Sequence, residues 1–212
     1  MDIFVVGGHG KIALRFERLA SEAGHDVRAM ARNPDHGGDI EAAGAEPVVG
    51  DIESDDITGL VKGADVVVFA AGAGPGSGPA RKKTVDLGGA IKLIDAAAAN
   101  GISRYLMVSA IGAVKPARWS EQMRPYYEAK AGADEALIAS GLDYTIVRPG
   151  SLTDGPGTGL VDVAPELGRS GKVPRDDVAG VLLASIDEMN TVRKAFDLLS
   201  GETPITEALR AL

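Results

Sequence analysis

A glycine-rich turn near the start of the sequence carries its clearest chemical signal. An apolar strand pattern runs there into a helix start through the stretch Val5-Val6-Gly7-Gly8-His9-Gly10-Lys11-Ile12-Ala13. Gly7 permits a tight turn, Gly10 lets the backbone approach a bound group closely, and small Ala13 lets the helix pack on the strand. A helix start also offers unpaired amides and a partial positive charge to an anion. The pattern therefore predicts a site for a dinucleotide pyrophosphate, with a turn that binds nothing as the alternative.

The predicted phosphate-binding residues are those of the turn itself: Gly7, Gly8, His9, Gly10, Lys11 and Ile12. A histidine in such a turn is more often solvated, and a lysine there adds general positive potential. We therefore give neither His9 nor Lys11 a catalytic role.

The end of the second predicted strand indicates which dinucleotide fits. An acidic residue about 20 positions after the turn selects NAD by binding the ribose 2′-hydroxyl, but residues 27–34 contain no Asp or Glu. Arg32 lies there instead, and a guanidinium can bind a 2′-phosphate through two hydrogen bonds. This predicts NADP rather than NAD, with a plain surface arginine as the alternative. Asp51, at the end of the third strand, either contacts adenine or caps the following helix.

These residues need a scaffold, and short apolar runs alternate with helical patterns throughout the chain. Strands are predicted at Asp2–Val6, Asp26–Ala31, Glu46–Val49, Ala64–Ala70, Arg104–Val108, Tyr144–Val147 and Lys194–Leu199. Helices are predicted at Gly10–Ala23, Ile40–Ala43, Ile57–Val61, Arg81–Ala99, Tyr126–Ala139 and Arg175–Ile186. The alternation predicts an α/β fold: a Rossmann-type, doubly wound, mostly parallel sheet of about seven strands with helices on both faces. One domain over residues 1–212 suits this length.

Two segments fit no strand–helix unit. Residues 112–125 contain Trp119 and Met123, and residues 151–174 are rich in Gly and Pro. Both follow a predicted strand at its carboxyl end, where ligands bind in open α/β sheets, and both exceed the usual loop length. We predict that they build a partly apolar substrate pocket, with plain surface loops as the alternative.

The order of the motifs resembles that of a known superfamily. The sequence contains G-G-H-G-K-I-A, A-R-N-P, V-V-G-D, Y-x-x-x-K and L-D-Y-T-I-V-R-P-G, followed by P-R-D-D-V-A at residues 174–179. In this order they resemble the short-chain dehydrogenase/reductase superfamily, and most of all its small atypical NAD(P)H-binding branch, whose members are often labelled epimerases, dehydratases or reductases. The resemblance covers nearly the whole chain.

In active members of that superfamily a Ser, a Tyr and a Lys four residues after the Tyr carry out catalysis. The matching residues are Ser109, directly after a strand, and Tyr126 and Lys130, one helical turn apart. The resemblance implies that Lys130 binds the nicotinamide ribose and lowers the pKa of Tyr126. It also implies that Tyr126 donates a proton to a substrate carbonyl whose oxygen Ser109 holds. A structural set without catalysis is the alternative, and Tyr127 adjoins Tyr126, so a shift of one residue would break the pairing with Lys130.

The same resemblance implies further contacts with the cofactor. It places Pro149, Gly150, Ser151 and Leu152 along the nicotinamide, and Ala70, Ala71 and Gly72 near the middle of the cofactor. Arg148 and Arg175 either bind substrate or pair with nearby carboxylates, of which Asp176 is one.

Composition excludes several other functions. The formal net charge of −8 disfavours a nucleic-acid partner. Without cysteine and with three scattered histidines, the sequence predicts no disulfide and no metal site. The four-residue apolar run at Ile3–Val6 is too short for a signal peptide or a membrane span, so we expect a cytoplasmic protein without membrane contact.

Together these patterns predict an NADP-dependent oxidoreductase that acts on a carbonyl of a small molecule. Two alternatives remain open: an epimerase or dehydratase that uses transient hydride transfer, and a non-catalytic NADP-binding redox sensor. Neither the substrate nor the oligomeric state follows from the sequence.

Overall fold

The computed structural model describes residues 1–74 and 76–212. It has a central sheet with helices on both of its faces. The strands are β1 (Asp2–Val6), β2 (Asp26–Ala31), β3 (Glu46–Val49), β4 (Val66–Phe69), β5 (Arg104–Val108), β6 (Asp143–Pro149), β7 (Ser151–Thr153), β8 (Leu160–Ala164), β9 (Lys172–Pro174), β10 (Lys194–Ser200) and β11 (Thr203–Pro204). The α-helices are α1 (Ala13–Glu22), α2 (Gly37–Ala42), α3 (Pro79–Arg81), α4 (Ala90–Ala99), α5 (Arg124–Ala139), α6 (Arg175–Asp187) and α7 (Ile205–Arg210). A π-helical stretch, Lys82–Gly89, joins α3 to α4, and short 3-10 helices lie at Pro34–His36, Pro116–Arg118 and Met189–Thr191.

The main sheet has nine strands in the order β11-β8-β10-β6-β5-β4-β1-β2-β3. Seven neighbouring strands of this sheet are parallel to one another: β10, β6, β5, β4, β1, β2 and β3. Strand β8 runs antiparallel to β10, and β11 runs antiparallel to β8. The Rossmann-type prediction is confirmed, but the sheet has nine strands rather than about seven. The additional strands, β8 and β11, lie in segments where the sequence has no long apolar run.

Burial along β1 shows why helices must cover both faces. Ile3 and Val5 pack into one hydrophobic cluster, and Phe4 and Val6 pack into another on the opposite face. Successive side chains of a strand point to opposite faces, so this four-residue run fills two separate cores. The first cluster includes residues of α1 and α6, and the second includes residues of α4 and α5. In the described part of the chain, no helix is both long and apolar enough to cross a bilayer.

Two local predictions are corrected by the structure. Ile57–Val61 forms hydrogen-bonded turns rather than a helix, because a five-residue segment containing Gly59 is too short to propagate one. The segment 151–174 is not only loop, since β7 and β9 pair within it as a second, two-stranded parallel sheet and β8 joins the main sheet.

Glu17 lies wholly buried on α1, and neither of its carboxylate oxygens has a hydrogen-bond partner among the described residues. Burial raises the pKa of Glu17 from 4.5 to about 8. A group whose pKa is higher in the folded protein stabilises the fold less and less as pH rises towards that folded value. We therefore expect the free energy of unfolding to fall by about 2 kcal/mol between pH 6 and pH 8 through Glu17 alone.

Denaturant unfolding at several pH values tests this expectation. Glu17→Gln removes the ionisable group and is expected to flatten the pH dependence of the free energy of unfolding. The stability of this variant relative to the parent protein should therefore increase towards pH 8. Glu22→Gln, at an exposed position of the same helix, is the matched control. Equal pH slopes for Glu17→Gln and the parent protein would show that Glu17 is ionised in the fold.

Candidate active site

The glycine turn at the end of β1 has the geometry of an anion cradle. Gly7 has φ +89°, a left-handed value that favours glycine, and a Cβ on Gly10 would lie 2.9 Å from the Gly7 carbonyl oxygen. Side chains at either position would therefore distort the turn. Among the described residues, the amides of Lys11 and Ile12 donate to no backbone carbonyl and α1 has no side-chain cap. These free donors fit a dinucleotide pyrophosphate.

Two cavities lie along the carboxyl edge of the parallel strands. The first cavity, of about 320 Å³, is lined by the glycine turn and the segments that follow β2, β3 and β4. The second cavity, of about 650 Å³, is lined by the segments that follow β4 and β5, by the start of α5 and by Leu152 and Arg175. Both are lined by Ala70, Ala71 and Gly72, the small residues after β4. The two cavities therefore meet there and together form one trough, as a site for an extended dinucleotide requires.

One wall of the first cavity is built from two histidines. The rings of His9 and His36 stack with centroids 3.6 Å apart, and His9 Nε2 lies 2.7 Å from Asp39 Oδ2. Both histidines line the cavity, whereas no described residue of the Ser-Tyr-Lys set does. His9 thus stands at the opposite end of the trough from the predicted chemistry.

Arg32 lines the first cavity, but it has an acidic neighbour that the sequence analysis did not foresee. Its guanidinium lies 3.7 Å from the Glu53 carboxylate, which also pairs with Arg81 at 2.8 Å. A hydrogen bond from Thr84, together with Arg81 and Arg32, lowers the pKa of Glu53, so this carboxylate is ionised at neutral pH. No acidic residue lies in the local sequence around Arg32, residues 27–34, but in the folded protein Glu53 lies beside it.

Asp51 also lines the first cavity, but its carboxylate is engaged by the backbone. Asp51 Oδ1 accepts a hydrogen bond from the Glu53 amide at 2.9 Å. The capping alternative describes this contact, although the residues capped form a turn and not a helix.

Ser109, Tyr126 and Lys130 all line the second cavity. Ser109 directly follows β5 and is almost fully buried, and its hydroxyl has no hydrogen-bond partner among the described residues. Lys130 is buried on α5 and donates to the Val108 carbonyl at 3.1 Å. The structure thus brings together the three residues selected by resemblance, and their roles stay predictions.

Tyr126 does not have the lowered pKa that the resemblance implies. Burial raises the pKa of the Tyr126 phenol well above its usual value, and the carboxylates of Asp86 and Asp134 and the neighbouring Tyr127 raise it further. Lys130 is not among the groups that shift this pKa, and its effect on Tyr126 stays a prediction. Because of the raised pKa, Tyr126 is protonated throughout the neutral range, but it is also a weaker acid than a free phenol.

Asp86 makes the largest contribution to the raised pKa of Tyr126 after burial. It is almost fully buried in the π-helical stretch, lines the second cavity, and places Oδ1 at 3.4 Å from Lys130 Nζ. Its Oδ2 accepts from the Ala73 amide at 3.0 Å, which ties it to the segment after β4. The positive charge of Lys130 is thus largely paired with Asp86 instead of acting on Tyr126.

The sequence did contain a signal for Asp86. Its spacing to Ala90, Leu93 and Ala97 is four, seven and eleven residues, so all four share one helical face, and all are buried. An acidic residue on an otherwise apolar helix face indicates a buried partner, and the partner is Lys130.

A second buried ion pair lies behind Ser109. Arg148 Nε donates to Asp134 Oδ2 at 2.8 Å, and both residues are buried. Burial raises the pKa of Asp134, against the opposing effect of Arg148 and of the nearby Ser109 hydroxyl, which lacks hydrogen-bond geometry to it. Arg148 therefore pairs with a carboxylate, as one alternative anticipated, although the carboxylate is not Asp176.

The predicted nicotinamide segment is only partly at the cavity. Leu152 lines the second cavity, whereas Pro149 and Gly150 are not among its lining residues. A Cβ on Gly150 would lie 2.5 Å from the Gly171 carbonyl oxygen, so packing against the segment before β9 explains this glycine. Of the two predicted pocket segments, Met123 also contributes to the second cavity and Trp119 does not.

A carboxylate clasp spans the rim of this trough. Asp154, in the segment after β7, binds Lys11 Nζ of the glycine turn and Arg175 Nη1 of α6, each at 2.8 Å. Hydrogen bonding from Lys11, with Arg175 nearby, lowers the pKa of Asp154. The clasp therefore occupies two cations that lie beside the cradle and the second cavity.

Releasing the clasp is expected to favour an anionic cofactor. Exposed ion pairs contribute up to about 1 kcal/mol, so Asp154→Asn should raise NADPH affinity about two- to fivefold in calorimetric titrations. Asp143→Asn removes the same charge from the Arg193 pair at the start of β6, on the opposite edge of the sheet, and should leave affinity unchanged. A lower affinity in Asp154→Asn would mean that the clasp supports the cradle.

Comparisons with known proteins agree with this geometry. A family profile described as NAD(P)H-binding matches residues 7–189. The uncharacterised sugar epimerase YhfK of Bacillus subtilis is 46% identical over 215 residues, which cover 100% of both chains. A solved structure from Bacillus halodurans, provisionally named an NAD-dependent epimerase/dehydratase, is 40% identical, with a TM-score of 0.96 over 100% of both chains. The oxidoreductase ylbE of Lactococcus lactis is 28% identical, with a TM-score of 0.87 over 100% of this chain and 96% of that one. With the glycine cradle and the two cavities that meet beside it, these matches show that the chain belongs to the NAD(P)H-binding family.

Proposed function

We propose that the protein is an NADPH-dependent oxidoreductase that reduces a carbonyl group of a small molecule. One observation carries the proposal: Ser109, Tyr126 and Lys130 line a cavity that meets the cleft of the glycine cradle at Ala70–Gly72. A proton donor and a cofactor-binding edge thus face the same space. The Rossmann fold alone would not support a particular chemistry.

Each residue of the set has a distinct part. When bound, NADPH supplies the hydride that reduces the substrate carbonyl carbon. The Tyr126 hydroxyl donates its proton to the carbonyl oxygen, which completes the alcohol, and Tyr126 is reprotonated from solvent. The Ser109 hydroxyl, which has no partner among the described residues, is free to donate a hydrogen bond to the same oxygen. Lys130, fixed by Asp86 and the Val108 carbonyl, holds the ribose hydroxyls that orient the nicotinamide.

Cofactor choice rests on the two arginines of the first cavity. Arg32 and Arg81 flank the Glu53 carboxylate, and both line the space that follows β2. A 2′-phosphate there gains two guanidinium partners and meets one carboxylate. The balance favours NADPH over NADH because charge-assisted hydrogen bonds to two cations outweigh repulsion by one anion.

The second candidate is an epimerase, and the name of the Bacillus subtilis relative favours it. In this reaction a substrate alcohol would give its hydride to the oxidised dinucleotide and its proton to deprotonated Tyr126, and both would return, with the hydride adding to the opposite face. The raised pKa of Tyr126 opposes this deprotonation, so the site favours reduction over epimerisation. The dinucleotide is regenerated, so net consumption distinguishes epimerisation from reduction.

A substrate panel tests both candidates. Carbonyl compounds and quinones are incubated with NADPH, and the nicotinamide absorbance is followed. Steady NADPH consumption that is lost in Tyr126→Phe supports the oxidoreductase. In a parallel incubation of sugars with NADP⁺, inversion of a sugar carbon without net change in nicotinamide absorbance supports the epimerase. Tight NADPH binding with neither reaction on any compound would overturn both proposals in favour of a redox sensor.

A further inference from the structure

A third cavity lies outside the trough, and nothing in the proposed reaction uses it. This Trp119 pocket has a volume of about 220 Å³ and is lined by Ile111, Gly112, Lys115, Trp119, Tyr127, Ser151, Arg169, Ser170 and Gly171. It lies next to the second cavity, because Tyr127 and Ser151 line the pocket while their chain neighbours Tyr126 and Leu152 line that cavity. Among the described residues, it shares no lining residue with the cofactor trough.

The apolar wall of the pocket is aromatic and held in place. The rings of Trp119 and Tyr127 are stacked with centroids 5.9 Å apart, and Trp119 Nε1 donates to the Gly112 carbonyl at 2.8 Å. Ile111 adds an aliphatic surface. Because the indole is fixed by both a stacking contact and a hydrogen bond, the wall does not have to be ordered when a ligand enters.

The polar wall is cationic. Among the described residues that line the pocket, the charged ones are Lys115 and Arg169. Lys115 pairs with Glu166 at 2.8 Å and Arg169 pairs with Asp162, and both carboxylates lie outside the lining. The Lys115 side chain is 15% exposed, whereas that of Glu166 is 66% exposed. The acids thus hold the cations from the solvent side, and the Arg169–Asp162 pair contributes little because both of its side chains are exposed.

We propose that the Trp119 pocket binds a small aromatic carboxylic acid. A planar ring matches the aromatic and aliphatic wall, and a carboxylate matches Lys115 and the guanidinium fork of Arg169. The hydroxyls of Ser151 and Ser170 make no hydrogen bond to another described residue, so they can satisfy the remaining lone pairs. The volume lies below the roughly 300 Å³ at which drug-sized sites begin, which limits the ligand to about one ring.

The sequence provides an internal probe for this site, since Trp119 is the single tryptophan of the chain. Benzoate is titrated into the full-length protein while the Trp119 emission is recorded with excitation at the red edge of indole absorption. Calorimetry measures the same binding independently. Benzamide, which has the same shape without the charge, is the matched ligand control. We expect a saturable response to benzoate and at least about tenfold weaker binding of benzamide, the loss of one charge-assisted contact.

A variant with a neutral side chain of similar length locates the contact. Lys115→Met should weaken benzoate binding about tenfold and leave the weak binding of benzamide unchanged. Lys172→Met, on the neighbouring strand β9 and outside the pocket lining, should bind benzoate like the parent protein. Equal affinities for benzoate and benzamide, no saturable response, or full affinity in Lys115→Met would each overturn the proposal. None of these readouts requires turnover or NADPH, so this site stands or falls independently of the proposed reaction.

Discussion

Replacing Tyr126 with Phe is expected to lower turnover at least about a hundredfold, while NADPH affinity stays nearly unchanged. The change removes one hydroxyl from the second cavity and keeps the ring that packs beside Lys82, whose Nζ lies 5.3 Å from the ring centroid. A positioned general acid contributes about 10²- to 10⁴-fold to a proton-transfer step. Because the raised pKa keeps the phenol protonated in the neutral range, the loss should be the same at pH 6 and pH 8. Steady-state rates and calorimetric titrations measure the two quantities.

Tyr127→Phe is the matched control for this prediction. Tyr127 is the next residue and has the same side chain, but it lines the Trp119 pocket and not the second cavity. We expect this variant to retain turnover within about threefold of the parent value. If Tyr126→Phe keeps full activity on the true substrate and Tyr127→Phe loses it, the proton donor is Tyr127 and the pairing with Lys130 has no catalytic meaning.

The local parts of the fold and site were predictable from the sequence because their signals are local. The glycine turn joins an uninterrupted apolar run to a helix start, so residues 1–13 are enough to predict the strand, the turn and the beginning of the helix. Ser109 could be placed at the sheet edge because it directly follows the run Tyr105–Val108. The register of β1 against β2 and β4 then brings the strand ends together, as a parallel sheet requires.

The features that the sequence did not predict depend on contacts between segments that are far apart along the chain. Strand β8 exists because Val161–Ala164 pairs antiparallel with β10, and nothing in its short sequence, between Gly159 and Pro165, indicates that partner. Glu53 reaches Arg32 across 21 residues, and Asp86 reaches Lys130 across 44. Both carboxylates change the electrostatics of residues that the motifs singled out. Motifs thus predicted which side chains meet at the site but not which charges surround them.

Arg32→Ala is expected to remove most of the preference for NADPH over NADH. An ionic hydrogen bond contributes about 1.5–3 kcal/mol, which corresponds to roughly 10- to 150-fold in affinity. NADH affinity should stay nearly the same, because Arg32 is exposed at the rim of the first cavity and its ion pair with Glu53 is long, at 3.7 Å. Calorimetric titration of both cofactors against the parent and the variant measures the preference directly. Since Arg32 is exposed, the preference should also shrink as the salt concentration rises.

Glu53 turns this into a two-sided test. Its carboxylate is ionised and holds both Arg32 and Arg81, so it competes with a 2′-phosphate for the same guanidinium groups. Glu53→Gln should therefore raise NADPH affinity by up to about fivefold, because an exposed ion pair contributes up to about 1 kcal/mol. NADH affinity should stay unchanged. In the Arg32→Ala background the gain should be smaller, because only Arg81 remains to be released. Equal affinities for the two cofactors in the parent protein, or tighter NADH binding, would reject Arg32 as the phosphate ligand. In that case Glu53 would be the first candidate for binding the ribose 2′-hydroxyl, since it is the ionised carboxylate that lies beside Arg32 in the first cavity.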